Sequence, residues 1–324
     1  MNKKVKIFLA DELHPAGINL LKKHFKIISL KGLDNKSLFK KASIFQTENS
    51  RTSVLIIRSV RNMGKSELNY IKKNTDISLV CTVSAGFDNI DIKHAGKLGI
   101  NILNVAGANS TSAAEFAWAM ILAITKRVIK ADSMMKEGVF DYSEFSNSEL
   151  AGKTIGIIGV GNIGSKVAKI AKAFGMKIVG NDIKPSLKNK YRFIMFVSLN
   201  KLLSVSDVVT IHTPLDSSTK NLLNNANIKL MQKHSTLINC SRGGTVDESA
   251  LIAALKSGRI SYAGVDVFQH EPAFNIALTK LSNIILSPHL AGKTVESKER
   301  MALVAAEKII NFYEKSGKRA KLIN

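Results

Sequence analysis

Gly159-Val160-Gly161-Asn162-Ile163-Gly164 is the stretch of sequence that decides the fold. An apolar strand candidate, residues 154–158, runs directly into it, and a helix candidate, residues 165–171, follows it. Glycines at this spacing let the backbone turn sharply and approach a ligand closely, while the first N–H groups of the helix face an anion. Strand, glycine turn and helix in this order therefore predict a site for the pyrophosphate of a dinucleotide.

An acidic residue, Asp182, ends the next strand candidate, residues 176–181. A carboxylate about 20 residues after such glycines accepts hydrogen bonds from the ribose hydroxyls of NAD. Its negative charge also repels the 2′-phosphate of NADP. The sequence thus predicts NAD as the cofactor, although the cation Lys184 close by reduces that preference.

Strand and helix candidates alternate along the whole chain. Apolar runs are separated by helical patterns, an order that is typical of parallel sheets with crossover helices. The sequence therefore predicts an α/β protein with two doubly wound parallel sheets. The strand candidates are residues 5–10, 54–58, 78–83, 153–159, 176–181, 208–212, 236–239, 262–267 and 283–286, and the helix candidates are residues 15–24, 66–73, 112–130, 163–174, 199–203, 248–257 and 295–314.

The length of 324 residues predicts two domains rather than one. A new series of strands and helices begins near residue 152, and the final helix candidate follows the last strand, so it can return to the first domain. We predict a discontinuous substrate-binding domain, residues 1–100 and 288–324, and an NAD-binding domain, residues 101–287.

The composition argues against several classes of protein. The longest apolar helix candidate, residues 116–125, is shorter than the roughly 20 residues that span a bilayer. Asp11 and Glu12 end the N-terminal apolar run too early for a signal peptide, and two cysteines, Cys81 and Cys240, make no disulfide framework or thiolate metal site. We expect a cytoplasmic protein with no membrane contact and no metal.

The net charge of +22 raises the question of a nucleic-acid partner. The lysines are spread along the chain, and no helix-turn-helix, zinc-finger or stacking-aromatic pattern accompanies them. A solvated basic surface is the favoured interpretation, and nucleic acid is not an expected partner.

Three side chains with catalytic chemistry follow successive strand candidates: Arg242, Glu271 and His289. Residues just past the carboxyl ends of parallel strands meet at the ligand crevice. Oxidation of a 2-hydroxy acid needs a base for the hydroxyl proton, which suits His289, and a fork of donors for the carboxylate, which suits Arg242. Glu271 would stabilise the protonated imidazole. A single histidine after a strand is more often structural, but its two companions favour the catalytic interpretation.

These motifs resemble the D-isomer-specific 2-hydroxyacid dehydrogenase family over nearly the whole chain, most closely its short-form phosphoglycerate dehydrogenases. Residues 84–91 are similar to the family's substrate loop, residues 109–115 to the segment that lines the cleft, and residues 212–215 with Thr219 to the strip that covers the adenosine. The resemblance implies a Rossmann cofactor domain, a smaller flavodoxin-like substrate domain and an active site in the cleft. It also implies a homodimer through the cofactor domains and a small 2-hydroxy or 2-keto acid as substrate.

The resemblance also implies roles for further residues. Asp266 would contact the nicotinamide carboxamide, and Arg242, Glu271 and His289 would be the catalytic residues. The expected substrate-binding residues are Arg58, Ser84, Ala85, Gly86 and Asn109, and the further expected cofactor-binding residues are His212, Thr213, Pro214, Thr219, Cys240, Ser241 and Gly292.

The substrate is open at this point. Arg58-Ser59 follows the phosphoglycerate dehydrogenase pattern, but Val60-Arg61-Asn62 departs from it. Ala85 and Phe87 look more like glyoxylate- or lactate-type members. A D-3-phosphoglycerate dehydrogenase is the leading hypothesis, and a glyoxylate, hydroxypyruvate or D-lactate-type reductase is the alternative. An NAD-sensing corepressor is the alternative from another class, and formate dehydrogenase ranks last because that enzyme has glutamine where Glu271 stands.

Overall fold

The computed structural model describes residues 5–45 and 53–314. The chain divides into a first unit, residues 1–109 and 294–324, and a second unit, residues 110–293. Each unit is built around its own parallel sheet.

The first unit contains a five-stranded sheet in the order β2-β1-β3-β4-β5, and all its strand pairs are parallel. This is the flavodoxin-like doubly wound order. Its central strands are buried on both faces, which explains why β3 and β4 are nearly continuous apolar runs. The elements are β1 (Lys6–Leu9), α1 (Pro15–Lys22), β2 (Lys26–Ser29), α2 (Asn35–Ile44), β3 (Ser53–Ile57), α3 (Lys65–Asn74), β4 (Ile77–Thr82), α4 (Ile92–Lys97) and β5 (Asn101–Asn104).

The second unit contains a seven-stranded parallel sheet in the order β12-β11-β10-β9-β6-β7-β8. Counted from β6, this is the Rossmann order with one further strand. The elements are α5 (Ser110–Thr125), α6 (Val128–Lys136), β6 (Thr154–Ile158), α7 (Gly164–Ala173), β7 (Lys177–Asn181), α8 (Ser186–Lys190), β8 (Met195–Phe196), α9 (Leu199–Val205), β9 (Val208–Ile211), α10 (Asn225–Ile228), β10 (Thr236–Asn239), α11 (Glu248–Lys256), β11 (Tyr262–Val265) and β12 (Ile284–Leu286), with 3₁₀ turns at Gly243–Thr245 and Ile276–Lys280.

The last helix, α12 (Val295–Glu314), belongs to the first unit. It packs against α1 at Gly17, where an added Cβ would lie 2.6 Å from the carbonyl oxygen of Ala302. Its buried face, which includes Ala305, Ala306 and Ile309, joins the apolar core that covers β1, β3 and β4. The first unit is therefore discontinuous in sequence.

The prediction of two doubly wound parallel sheets is confirmed. The boundaries between the two units follow residues 109 and 293, later in the chain than residues 100 and 287. β5 pairs with β4 and so extends the first unit to residue 109. The loop after β12 stays with the second unit because its backbone is bonded to Asp266.

The helix predicted over residues 112–130 is wrong in one respect, because the structure has two helices there. Arg127 adopts a left-handed conformation with φ of 52° between α5 and α6. The carbonyl of Thr125 accepts a hydrogen bond from Ser148 N–H, and Lys126 Nζ donates to Ser148 O. A returning segment thus takes the place of the next helical turn.

No helix within residues 5–45 and 53–314 is both long enough and apolar enough to cross a membrane.

Candidate active site

The glycine turn after β6 has the geometry that a dinucleotide site needs. Gly159 has a φ of +87°, and a Cβ there would lie 2.8 Å from His212 O. A Cβ on Gly164 would lie 2.0 Å from Gly159 O, so only glycine allows α7 to pack this closely on the turn. Gly161 faces open space instead, since a Cβ there would meet nothing within 4 Å. Asn162 is exposed beside it, and Ile163 occupies the N-cap position of α7 without a side-chain capping bond.

Asp182 follows β7, and its side chain bonds both the glycine turn and the segment after β7. One carboxylate oxygen accepts the Val160 N–H at 2.8 Å and the other accepts the Lys184 N–H at 2.9 Å. Each carboxylate oxygen has a second acceptor site, so the side chain can also accept ribose hydroxyls. The acidic residue predicted from spacing alone therefore lies against the glycine turn.

The segment after β9 covers the other side of Gly159. The imidazole of His212 bonds Thr210 through Nε2 at 3.0 Å, while its Nδ1 and the hydroxyl of Thr213 are buried without a hydrogen-bond partner among the described residues. Burial lowers the pKa of His212 to about 3, so its ring is neutral near neutral pH. Thr219 Oγ1 donates to Pro214 O at 2.7 Å and closes the turn that follows.

These observations fit the pyrophosphate and adenosine parts of NAD. The open space at Gly161 admits a phosphate close to the backbone. The His212 carbonyl and the Thr213 methyl lie beside Gly159, and both residues carry a buried polar atom without a partner among the described residues. Buried polar groups without partners are costly, so these two atoms are candidates for bonds to a ligand.

Arg242 lies in the loop after β10, and Asn239 fixes the shape of that loop. The Asn239 amide donates to Arg242 O at 3.0 Å and accepts from the Ser241 hydroxyl at 2.9 Å. Arg242 Nη1 donates to Ser241 O at 2.7 Å. Cys240 is buried, which raises the pKa of its thiol, so we assign it no reactive role. Sequence reasoning missed Asn239, although its place at the end of a strand was a signal.

The Arg242 loop touches the loop that carries Glu271. A Cβ on Gly243 would lie 1.9 Å from the backbone carbon of Phe268, so the two loops are in direct backbone contact. Phe268 N–H donates to Glu271 Oε1 at 3.0 Å. The structure therefore brings the segments of Arg242 and Glu271 together, as residues at neighbouring strand ends should be.

Glu271 and His289 form a hydrogen-bonded pair. Glu271 Oε2 and His289 Nδ1 are 2.7 Å apart, and the two side chains are 34% and 40% exposed. Burial raises the pKa of the Glu271 carboxyl, but the hydrogen bonds from His289 and Phe268 outweigh it, and the net pKa lies below the usual value. The carboxylate is therefore ionised at neutral pH and faces the imidazole.

His289 is held in a strained backbone conformation by the buried Asp266. His289 has a φ of +54°, which a non-glycine residue rarely adopts. Asp266 is fully buried and accepts from the Ser287 hydroxyl at 2.5 Å, Leu290 N–H at 2.7 Å and Ala291 N–H at 2.8 Å. These bonds fix the loop on both sides of His289. Gly292 lies further along the same loop, and Ser112 of α5 donates to Ala291 O at 2.7 Å.

In the first unit, the two arginines after β3 have different surroundings. Arg61 is 11% exposed, and its guanidinium donates to Asp11, Asn35 and the carbonyls of Ala10 and Leu33 at 2.8 to 3.1 Å. The side chain of Arg61 is thus committed to the fold. Arg58 donates only its backbone N–H, to Asp11 Oδ2 at 2.9 Å, and its guanidinium has no partner among the described residues.

The predicted substrate loop after β4 is fixed by hydrogen bonds within the first unit. Ser84 donates to Gly86 O at 2.5 Å, and Asn104 of β5 donates to Ala85 O at 2.9 Å. Asn109 Oδ1 is buried with no hydrogen-bond partner among the described residues. Asn104 was not identified from the sequence, because its partner lies on a different strand end.

No group of three metal-ligating side chains occurs within the described part of the chain. The arrangement in the second unit can bind a dinucleotide and hold a carboxylate–imidazole pair at the strand ends. Such a pair is able to exchange a proton with a group bound beside an organic cofactor.

Comparison with known proteins agrees with this chemistry. Residues 118–291 match the model of the D-isomer specific 2-hydroxyacid dehydrogenase NAD-binding domain. The chain is 35% identical over 318 residues to glyoxylate reductase of Thermococcus litoralis, covering 95% of this chain and 94% of that protein. It is 35% identical over 309 residues to D-3-phosphoglycerate dehydrogenase of Methanocaldococcus jannaschii, but spans only 57% of that protein's length.

A solved structure with the same fold is D-lactate dehydrogenase of Aquifex aeolicus in complex with NAD and lactic acid. Its TM-score is 0.80 at 29% identity, and 96% of each chain is covered. The fold and the second-unit site define an NAD-binding oxidoreductase of the two-sheet α/β type. More specifically, the chain belongs to the D-isomer-specific 2-hydroxyacid dehydrogenase family, which confirms the resemblance found in the sequence.

Proposed function

We propose that the chain transfers hydride between NAD and C2 of a small D-2-hydroxy or 2-keto acid, with Arg242, Glu271 and His289 as catalytic residues. The observation that carries this proposal is the 2.7 Å hydrogen bond between Glu271 Oε2 and His289 Nδ1. Because Nδ1 is bonded, Nε2 is the ring nitrogen left to exchange a proton with a substrate oxygen.

The chain's own groups account for the proton and the charge. In the reductive direction His289 Nε2 donates a proton to the oxygen on C2, and the Glu271 carboxylate stabilises the imidazolium before the transfer. Arg242 attracts the substrate carboxylate and the negative charge that develops on the oxygen. In the oxidative direction the neutral imidazole accepts the hydroxyl proton. NADH, when bound at the glycine turn, supplies the hydride.

For the substrate, D-3-phosphoglycerate remains the first candidate, and Arg58 would be its phosphate ligand. The guanidinium of Arg58 has no partner among the described residues. The guanidinium of Arg61, in contrast, already donates hydrogen bonds to Asp11, Asn35 and two backbone carbonyls. If phosphohydroxypyruvate is the substrate, Arg58→Ala should therefore raise its KM about tenfold or more, because a charge-assisted bond contributes about 1.5–3 kcal/mol.

Glyoxylate or hydroxypyruvate is the second candidate. Two observations favour it. The Arg61 guanidinium is bonded within the first unit and is not free to bind a phosphate. The chain is also similar to a glyoxylate reductase over 94% of that protein's length. For these substrates, which carry no phosphate, Arg58→Ala should leave kcat/KM within about twofold.

The test is an NADH-coupled screen of glyoxylate, hydroxypyruvate, phosphohydroxypyruvate and pyruvate, made with the parent chain and with Arg58→Ala. Turnover of at least one acid at ordinary enzyme rates supports the proposal. Tight NADH binding without turnover of any acid would instead indicate an NAD-sensing binding protein.

We also propose a homodimer that forms through the second unit and a cytoplasmic location. The free thiols of Cys81 and Cys240 support the location, since both are buried and neither forms a disulfide.

A further inference from the structure

The second unit has a depression that lies away from the proposed catalytic residues. It opens where β10, β11 and β12 begin, whereas Arg242, Glu271 and His289 follow the ends of these strands. The two ends of a strand are separated by its length, so the depression is distinct from the catalytic site. Its volume is about 670 Å³, and sites for small molecules usually have roughly 300–1,000 Å³.

The depression is lined by basic side chains from four segments of the chain. Arg127 follows α5, His234 precedes β10, Lys256 ends α11 and Lys280 precedes β12. None of the described lining residues is acidic. The ammonium groups of Lys256 and Lys280 form no ion pair with any described residue. A concave surface lined by one sign of charge focuses the potential, so this depression favours an anion.

Hydrogen bonds hold the walls of the depression in place. The Asn283 amide donates to Leu255 O at 3.2 Å and to Ser261 O at 3.1 Å, which ties the end of α11 to the starts of β11 and β12. Ser261 N–H donates to Ser235 O at 2.9 Å and joins the start of β10 to them. The space is therefore formed before a ligand arrives, which lowers the entropic cost of binding.

Two of the four basic residues have a backbone conformation that side chains rarely adopt. Arg127 has a φ of 52° and His234 has a φ of 68°. Among the described residues only two other non-glycine residues have positive φ, and one of them is His289 of the proposed catalytic site. Backbone strain of this kind clusters at ligand sites, where the surrounding structure fixes the position of a side chain.

Tyr262 orients one of the basic side chains. The central carbon of the Arg127 guanidinium lies 4.0 Å from the centroid of the Tyr262 ring, and Nη1 donates to the Tyr262 hydroxyl. A guanidinium has five N–H donors, so donors remain that match the oxygens of a phosphate. Leu255 and Leu281 line the same space and offer apolar contacts to an organic group.

We propose that this depression binds a small organic molecule that carries two phosphate groups. Arg127, Lys256 and Lys280 supply three positive charges, and His234 supplies a fourth when it is protonated. A phosphate monoester carries about −1.5 to −2 charges at neutral pH, so two of them match these cations and one does not. The proposal goes beyond the proposed reaction and does not depend on it.

Calorimetric titration of the full chain with glucose 1,6-bisphosphate tests the proposal. NADH in excess keeps the dinucleotide site filled, and about 50 mM salt limits screening. We expect a dissociation constant between about 10 μM and 1 mM. Glucose 6-phosphate, which has one phosphate, should bind at least about tenfold more weakly. Citrate, which carries a similar charge on three carboxylates, should also bind at least about tenfold more weakly.

Two matched pairs of substitutions test where the bisphosphate binds. Lys256→Gln with Lys280→Gln should weaken binding about tenfold in low salt, and the loss should shrink in about 0.5 M salt. Both side chains are exposed, so the thermal midpoint should change little. The control is Lys177→Gln with Lys201→Gln, two exposed lysines of the same unit that do not line the depression. The control pair should bind the bisphosphate like the parent chain.

Amide exchange locates the ligand without a substitution. Residues 255–262 and 280–283 should exchange with deuterium more slowly when the bisphosphate is bound. The proposal is overturned if the NADH-saturated chain does not bind the bisphosphate below about 10 mM, or if the two pairs of variants bind it equally. It is also overturned if citrate or glucose 6-phosphate binds as tightly, or if the protected amides lie elsewhere. None of these readouts needs turnover of a 2-keto acid, so a failed substrate screen leaves the proposal standing.

Discussion

In the proposed proton transfer, Glu271 is the residue bonded to the imidazole of His289. Its buried position raises the pKa of the carboxyl, and hydrogen bonds from His289 and Phe268 N–H lower it further than burial raises it. A carboxyl with a lowered pKa stays ionised while the pH falls through its ordinary range. The charge beside His289 is therefore lost only when the pH falls through that lowered pKa.

Glu271→Gln should move the fall-off of reductase activity on the basic side to lower pH, by about one unit. The amide carries no charge that would stabilise the imidazolium from which the substrate oxygen takes its proton. The pH dependence of kcat/KM for reduction measures the shift. Glu248→Gln is the control, because it removes a carboxylate that bonds Gln269 N–H in the same loop without touching His289. A profile that stays in place in Glu271→Gln would contradict the proposed pairing.

We expect Asp182 to influence cofactor choice in two ways, through a hydrogen bond and through its charge. Asp182→Ala removes both the bond to Val160 N–H and the charge that repels a 2′-phosphate, so NADH binding should weaken about tenfold and the NADPH to NADH efficiency ratio should rise. Asp182→Asn keeps an oxygen acceptor for Val160 and removes only the charge. It should change the ratio with a smaller loss of NADH affinity. Equal efficiencies of NADH and NADPH in the parent enzyme would count against this role.

At the scale of elements, two glycines of the turn after β6 differ in their surroundings, so substitutions there should affect folding and ligand binding separately. A Cβ on Gly161 meets nothing within 4 Å, whereas one on Gly164 lies 2.0 Å from Gly159 O. Gly161→Ala should therefore leave the thermal midpoint of the cofactor-free protein unchanged and weaken NADH binding about tenfold or more. Gly164→Ala should lower the unfolding free energy by about 1–3 kcal/mol, because overpacking forces the turn and α7 apart. Unchanged NADH affinity in Gly161→Ala would argue that the cofactor does not approach this turn.

The loop after β12 is held by hydrogen bonds to the buried carboxylate of Asp266. Asp266→Asn replaces one acceptor oxygen by a donor, so at least one bond to Ser287, Leu290 or Ala291 is lost. We expect a loss of about 2 kcal/mol in unfolding free energy and a lower kcat, because His289 lies within this loop. Ser287→Ala, which removes one donor, should cost about 1 kcal/mol. Urea unfolding and steady-state kinetics check both, and a kcat equal to that of the parent in Asp266→Asn would exclude a positioning role.

At the scale of the whole molecule, the return of α12 makes the first unit depend on both ends of the chain. Gly17→Val places a branched side chain where a Cβ alone already lies 2.6 Å from Ala302 O. The unfolding free energy of the first unit should fall by about 1–3 kcal/mol, while NADH binding by the second unit should persist. Asn19→Val at an exposed position of α1 is the control for helix propensity. Loss of NADH binding in parallel with the thermal shift would show that the units do not fold separately.

Some elements could not be predicted for physical reasons. β2 is an edge strand without a buried residue, and β8 has two residues, so neither has the apolar run that identifies a central strand. The break between α5 and α6 depends on Ser148, more than 20 residues downstream of Thr125. Local periodicity carries no information about such a bond.

The sequence by itself determined the two parallel sheets, the dinucleotide turn with Asp182 and the order of Arg242, Glu271 and His289, because each depends on local spacing and on where a strand ends. Only the tertiary structure decided which arginine is available and what holds His289 in place. The Arg61 guanidinium is occupied by residues that follow two other strands, and the donors to Asp266 lie 21 to 25 residues away. Such partners meet only when the strands assemble into a sheet, since the packing of separate strand ends has no signature within any one segment of the chain.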